Sequence, residues 1–317
     1  MNELVVLFQI GRLSVTGYSL CLTLGALLGA ALTVGLGRRR IGTDASLSLC
    51  LAVLPCALLG ARLFYCLTNI QYIQVDLESS FFGFLFSPWE GGFTLYGAIL
   101  GGMAGLALYA RATKRSAAGL LDLVAPGAAV TLALARLGEY FTGQGLGKLV
   151  DAEALQFFPL AVQDMWEDWC MPVFLYEALA ALVIAVVSWQ LLTRHKPAAE
   201  VFIVLLGVTQ ILLESWRTDE FIRFGFVRFN QIVSAVLMAA VLGLRIARAV
   251  KERGWSAWQT VRILLFLAGV GVVIAIEFAL DKSSIDNRLL YVIMAATLAV
   301  MGASLLAEPS GSRRVKG

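Results

Sequence analysis

Gly91-Gly92-Phe93-Thr94-Leu95-Tyr96-Gly97-Ala98-Ile99-Leu100-Gly101-Gly102 opens one apolar run, and Ala135-Arg136-Leu137-Gly138-Glu139-Tyr140-Phe141-Thr142-Gly143-Gln144 closes the next. Each stretch joins a long uncharged segment to a short polar one, as a membrane span does where it reaches water. Arg136 sits at such an end. An arginine there is costly unless it meets an anion or reaches the aqueous phase.

Hydrophobic residues make up 59% of the 317-residue chain and charged residues 15%. A soluble domain carries about a quarter charged residues. With a mean hydropathy of +0.80, the composition predicts an all-α polytopic membrane protein. Nine apolar stretches are long enough, or nearly so, to cross a bilayer: about 15–36, 45–68, 93–110, 117–136, 172–193, 198–214, 229–247, 259–280 and 288–307. The sixth is short and ends in Glu214, which predicts a span opening into a polar region.

The distribution of basic residues orients these spans. With the N-terminus outside, fifteen fall on the cytoplasmic side: Arg38, Arg39, Arg40, Arg111, Lys114, Arg115, Arg194, Lys196, Arg245, Arg248, Lys251, Arg253, Arg313, Arg314 and Lys316. Seven fall outside: Arg12, Lys148, Arg217, Arg223, Arg228, Lys282 and Arg288. Arg62, Arg136 and Arg262 lie within spans. The expectation is therefore N-terminus outside, C-terminus cytoplasmic and nine crossings.

Several function classes are disfavoured. The basic residues are spread over many short loops, which argues against a nucleic-acid partner. Of the five cysteines, Cys21, Cys50, Cys56 and Cys66 lie in or beside apolar spans and read as packing residues; Cys170 falls in an extracytoplasmic segment. No Cys-Xaa-Xaa-Cys pair is present and the single histidine, His195, sits in a basic loop, so no metal site is expected. The N-terminus lacks a basic region followed by a small-residue cleavage site, and no removable signal peptide is expected.

Residues 69–91 and 138–171, with 215–228, are longer than connectors require and predict a small extracytoplasmic head; their composition also fits ordinary loops. The segment 69–91 is aromatic and uncharged except for Asp76, Glu78 and Glu90. The tail 308–317 reads as disordered and cytoplasmic. Gly97, Gly101 and Gly105 form a ladder at helix-packing spacing, as do Gly25 and Gly29, and packing is the reading they favour.

The charged residues at span ends are the candidates for chemistry. Arg136 offers a guanidinium fork that matches phosphate oxygens; a snorkelling arginine, or a helical pair with Glu139 three residues on, explains it equally. Arg62 lies near the outer end of the second span and is open to the same readings. Glu214, Arg217, Asp219, Glu220, Arg223 and Arg228 concentrate charge on the outer side. A site for an anionic lipid explains this, and so does a salt-bridged loop. Tyr176 fits an interfacial aromatic belt. Glu177 lies in an apolar stretch and needs a partner, an arginine from a neighbouring helix being the obvious one.

Taken in order and spacing, these motifs resemble the prolipoprotein diacylglyceryl transferases of bacterial plasma membranes over about residues 8–245. Besides the two opening motifs, the resemblance rests on Gly60-Ala61-Arg62-Leu63, Arg111-Ala112-Thr113-Lys114-Arg115-Ser116, Asp122-Leu123-Val124-Ala125-Pro126, Pro172 with Leu175-Tyr176-Glu177, Glu214 with Arg217, and Asn230-Gln231-Ile232-Val233-Ser234. It implies a seven-span core with its N-terminus outside and a small periplasmic head, residues 1–254, followed by a two-span extension and tail, 255–317. It also implies transfer of a diacylglyceryl group from phosphatidylglycerol to the lipobox cysteine thiol of a prolipoprotein signal peptide, with glycerol phosphate leaving and no cofactor. Arg136 is then the phosphate holder, helped by Arg62 or Arg217, while Tyr96 lines the site and Glu139 is a candidate for the thiol proton. Gly97, Gly138, Gly143, Gly147, Tyr176, Glu177, Gln210 and Glu214 complete the implied substrate site.

The chain departs from the family pattern at four points. Tyr96 stands where the family carries a histidine. Ala135 and Glu139 replace a glycine and an asparagine of the arginine motif. Gln210 stands where the family has a second arginine, and Thr16-Gly17 replaces a tyrosine-glycine pair. Tyrosine, with a pKa of about 10, is a poor base near neutrality, and Gln210 takes a full charge from the phosphate site. Arg217, seven residues after Gln210 and expected on the same helical face, is a candidate to compensate. Two readings follow: an active transferase, or a catalytically altered paralogue that binds anionic lipid or a lipidated partner. A transporter is the weakest, since no paired inverted repeats are found.

Overall fold

The computed structural model describes residues 6–10, 13–87, 92–219, 223–224, 227–283 and 286–307. Arg12, Glu90, Gly91, Glu220 and the tail 308–317 lie outside the described residues, as do the side chains of Asp76 and Arg223. Each of the nine apolar stretches contains one long helix. These are α1 (Gly17–Gly37), α2 (Thr43–Thr68), α4 (Leu95–Thr113), α5 (Ala117–Gly138), α6 (Val173–Thr193), α7 (Ala198–Glu214), α8 (Phe229–Arg253), α9 (Ala257–Lys282) and α10 (Asn287–Leu306), with a one-turn helix α3 (Phe81–Leu85) between α2 and α4. Among the described residues, eight helices are long and apolar enough to cross a membrane. The ninth, α7, has 17 residues; at about 1.5 Å per residue it falls short of a hydrocarbon core about 30 Å thick.

Two compact units divide the chain, residues 1–144 with 178–199, and residues 145–177 with 200–317. In the first, α2 packs along α4 and α1 along α5. The glycine ladder makes the first of these contacts. A Cβ at Gly97 would meet the carbonyl oxygen of Gly60 at 2.5 Å, one at Gly101 would strike the carbonyl of Cys56, and one at Gly105 would meet that of Ala52 at 2.7 Å. Only glycine lets two backbones approach so closely. Gly25 and Gly29 do the same for α1 against α5, where the Thr131 hydroxyl lies 3.0 Å from the carbonyls of both Gly25 and Gly127. Helix starts follow capping chemistry: Thr94 Oγ1 accepts from Gly97 N at 3.2 Å ahead of α4, and Thr16 Oγ1 accepts from Ser19 N at 3.1 Å ahead of α1.

In the second unit, three short strands, β1 (Leu146–Leu149), β2 (Val162–Gln163) and β3 (Trp169–Pro172), form an antiparallel sheet with β3 in the middle. Val204, Met238, Val241, Met294, Leu298, Met301 and Leu305 are central to this unit's apolar core. The sequence expectation placed Arg245, Arg248, Lys251 and Arg253 in a loop, but α8 continues through all of them. Glu200, in the first turn of α7, takes ion pairs from Arg245, at 3.5 Å, and from Arg248. Those two charges are therefore compatible with a helical course.

Candidate functional site

In the first unit the polar focus is the end of α5. Arg136 lies in its last turn, where the aligned peptide dipoles favour a cation. The helix tightens into a 3-10 turn over Glu139–Thr142 and is closed by Gly143, whose φ of +64° belongs to the left-handed region that glycine enters without strain. Arg136 and Glu139 are both 8% exposed, and the guanidinium donates from Nη1 to Glu139 Oε1. The helical ion pair, one of the readings open from sequence, is thus formed. Tyr18 stands beside them: a Cβ at Gly138 would meet its ring at 3.1 Å, and its hydroxyl feels the charges of both Glu139 and Arg136. Sequence reasoning did not single out Tyr18, which reads there as one more apolar-span aromatic.

The other candidates of this unit are placed separately. Tyr96, 4% exposed, is in the first turn of α4, and Gly97 lies in the α2–α4 packing seam. Arg62 is 3% exposed. Its guanidinium donates to the carbonyls of Phe84, of Ser87 at 2.8 Å and of Gly92 at 3.2 Å, and lies 4.1 Å from the Phe84 ring centroid. Those contacts make Arg62 a clamp on the segment before α4. Backbone carbonyls and an aromatic face satisfy the charge.

In the second unit a single network gathers Glu177, Gln210, Glu214, Arg217, Asp219, Arg228 and Asn230. Gln210 Nε2 bridges two buried carboxylates, donating to Glu177 Oε1 at 2.8 Å and Glu214 Oε2 at 3.1 Å. Arg217 donates from Nη1 to Glu177 Oε2 at 2.8 Å and from Nε and Nη2 to Asp219 Oδ2, the Nε bond being 3.0 Å. Arg228 reaches Glu214 Oε1 at 3.5 Å, the carbonyl of Asp219 at 3.2 Å and that of Arg217, while Asn230 Nδ2 donates to Glu214 Oε2 at 3.0 Å. Glu177 has the arginine partner that its apolar setting demanded. That partner does not come from a helix, however. α7 ends at Glu214, the chain turns, and Arg217 pairs as an isolated bridge with Gly147 while Thr218 N donates to Leu146 O at 3.0 Å. The expected shared helical face of Gln210 and Arg217 is thereby replaced by a turn against the sheet.

Gly147 makes that turn possible, since a Cβ there would lie 3.0 Å from the Trp216 carbonyl and 2.8 Å from Val173 Cγ2. Tyr176 donates to Leu160 O at 3.2 Å and meets Trp216 edge-on. In the sequence, Asp219 and Arg228 read only as part of the outer charge concentration, and Asn230 only as part of a motif, not as members of the implied substrate site. The charge cluster around 217–228 was the available signal, but pairing across separate elements is not written in local spacing. Among the described residues, no group of three or more Cys, His, Asp or Glu side chains is placed to hold a metal ion. Chemically, the two units provide buried guanidinium groups that match phosphate oxygens and carboxylates that accept protons.

Many apolar helices, with buried arginine–carboxylate clusters at the ends of some of them, define a multi-pass membrane protein. The family model of the prolipoprotein diacylglyceryl transferases matches residues 5–247. The phosphatidylglycerol–prolipoprotein diacylglyceryl transferase of Streptococcus pneumoniae serotype 4 is 31% identical over 251 residues, covering 76% of this chain and 92% of that protein. Those of serotypes 19F and 2 of the same species are 30% identical over the same coverage. The chain belongs to the prolipoprotein diacylglyceryl transferase family. The match stops before the end of α8, so α9 and α10 lie beyond it.

Proposed function

We propose that this chain transfers a diacylglyceryl group from phosphatidylglycerol to a prolipoprotein, the reaction for which its family and its relatives are named. The observation that carries this reading is the family match over residues 5–247. The acceptor is the cysteine thiol of the signal peptide. Its sulfur attacks the glyceryl carbon that bears the phosphate ester, the carbon–oxygen bond breaks, and glycerol phosphate departs. Arg136 holds the phosphate and stabilises the charge that grows on the leaving oxygen. Glu139, its buried neighbour, takes the thiol proton, and Tyr96 lines the site. Arg217, Glu177, Gln210 and Glu214 form a second polar site that the substrate contacts. The protein sits in the bacterial plasma membrane with its N-terminus outside and its C-terminus in the cytoplasm. Residues 1–254 are the catalytic core, with 69–91 and 138–171 in an outer head.

Expression in a bacterium depleted of its own transferase, followed by the lipidation state of a reporter lipoprotein, tests this. Rescue that is lost in Arg136→Ala is the expected result. A protein verified in the membrane that leaves the reporter unlipidated overturns it. One observation favours a second reading, a paralogue that binds anionic lipid without turnover: Glu139 already satisfies Arg136. Phosphatidylglycerol retention by the purified protein without transfer to a lipobox peptide would establish it.

A further inference from the structure

The two helices beyond the family match do more than add bulk to the second unit. Glu277, near the C-terminal end of α9 and 8% exposed, points its carboxylate at Gln231 in the first turn of α8; Gln231 Nε2 donates to Glu277 Oε1 at 2.6 Å. The same amide nitrogen donates to Ile211 O at 3.2 Å, and the amide oxygen accepts from Arg228 N at 3.1 Å. Every polar atom of the Gln231 side chain is thus engaged. From α10, Tyr291 donates to Ser215 O at 3.4 Å and meets Trp216 edge-on at 5.8 Å between ring centroids. Both helices therefore touch the segments that carry Arg217 and Arg228.

We propose that Glu277 is a positioning residue of the transferase, acting through Gln231 on Arg228 and thence on Glu214 and Arg217. A primary amide can be set in either of two orientations related by a half-turn. Glu277 Oε1 accepts from Gln231 Nε2, so beside Glu277 the NH2 end of Gln231 faces α9 and the oxygen faces the start of α8. The reversed amide would aim its oxygen at a carboxylate and its NH2 at the Arg228 amide N–H. Glu277 thereby selects the arrangement that caps α8 and fixes where Arg228 begins. The Arg228 guanidinium in turn holds the Arg217 carbonyl and the Glu214 carboxylate. This inference rests on the transferase reading for its kinetic consequence but not for its structural one.

The test uses the full chain in phosphatidylglycerol nanodiscs with a lipobox peptide. Glu277→Leu, which fills the space but accepts nothing, is expected to lower kcat about tenfold with KM for the lipid changed less than about twofold. Glu277→Gln retains an acceptor oxygen and is expected to stay within about threefold of wild type. Wild-type turnover in Glu277→Leu, or an equal fall in both variants, overturns the proposal. If the leucine variant does not fold, hydrogen exchange in Glu277→Ser, whose side chain is too short to reach Gln231, decides. Faster exchange at 227–231 with 238–246 unchanged supports it, and unchanged exchange at both overturns it. If the wild-type chain shows no transfer, the transferase reading fails while this exchange comparison still tests the link from Glu277 to α8.

Discussion

Arg136 donates to Glu139 across three residues at the buried end of α5, so the only arginine of the family's signature motif is already matched by an acid before any lipid arrives. The pair sets two outcomes apart. Arg136→Ala should reduce transfer by at least about a hundredfold. If Glu139 takes the thiol proton, Glu139→Gln loses about a hundredfold at pH 7, and part of the rate returns as pH approaches the acceptor thiol's own pKa of about 8.5. If Glu139 only restrains Arg136, the same variant gains activity, because the guanidinium is released for phosphate. A pH–rate profile of the purified variant separates the two.

Gln210 bridges Glu177 and Glu214 with one amide nitrogen. Gln210→Leu removes a donor from Glu177 Oε1 and from Glu214 Oε2, the latter keeping Asn230, at a cost of about 1–3 kcal/mol. A fall in Tm of roughly 5 °C or more is expected in a thermal aggregation assay. An unchanged Tm would mean that water replaces the amide.

Arg217 uses three nitrogens to reach two acids, Glu177 and Asp219. A lysine carries the charge but cannot span both partners with a fixed fork. Arg217→Lys should therefore lose more than about tenfold in kcat/KM, measured with labelled phosphatidylglycerol. Arg228→Met, which strands Glu214, should be destabilised by about 3–5 kcal/mol and yield little folded protein.

The Cys170 thiol is pushed above its ordinary value first by burial and then by the nearby charges of Asp164 and Asp168. Its neutral form is favoured, so the associated stability is present below the ordinary thiol range and is lost as pH rises through the raised value. Maleimide labelling of Cys170 at pH 7 should be slower than that of an exposed cysteine and should quicken with pH. Asp168→Asn should shift that profile to lower pH.

Hydropathy made the spans legible because burial in lipid leaves its mark residue by residue. Among the described residues, each of the nine apolar stretches coincides with one long helix, and the short sixth is α7, ending at Glu214 as its composition indicated. Glu177 was legible as a residue in need of an arginine. The identity of that arginine was legible only as one of several charges near the outer face, because α7 stops three residues before Arg217 and the sheet redirects the chain. Arg62 was legible as a buried charge, but its carbonyl partners on 84–92 lie more than twenty residues away. Glu277 was passed over altogether, since its partner Gln231 is 46 positions distant and a lone acid in an apolar run carries no address.

Gly101→Val would push α2 and α4 apart, because its side chain starts where the Cys56 carbonyl already lies. Overpacking of this kind costs about 1–3 kcal/mol, and reduced thermal stability with intact helicity by circular dichroism is the expected result.

The same seam bears on how a two-tailed lipid enters and leaves. Where Gly60, Gly97 and Gly101 bring two main chains into contact, there is no width for a methylene, let alone an acyl tail. Helices α2 and α4 thus form a closed wall, and they must travel together as one beam in any opening motion of their unit. The α1–α5 contact, built on Gly25 and Gly29, is shut in the same way, so neither glycine seam of this unit admits an acyl chain.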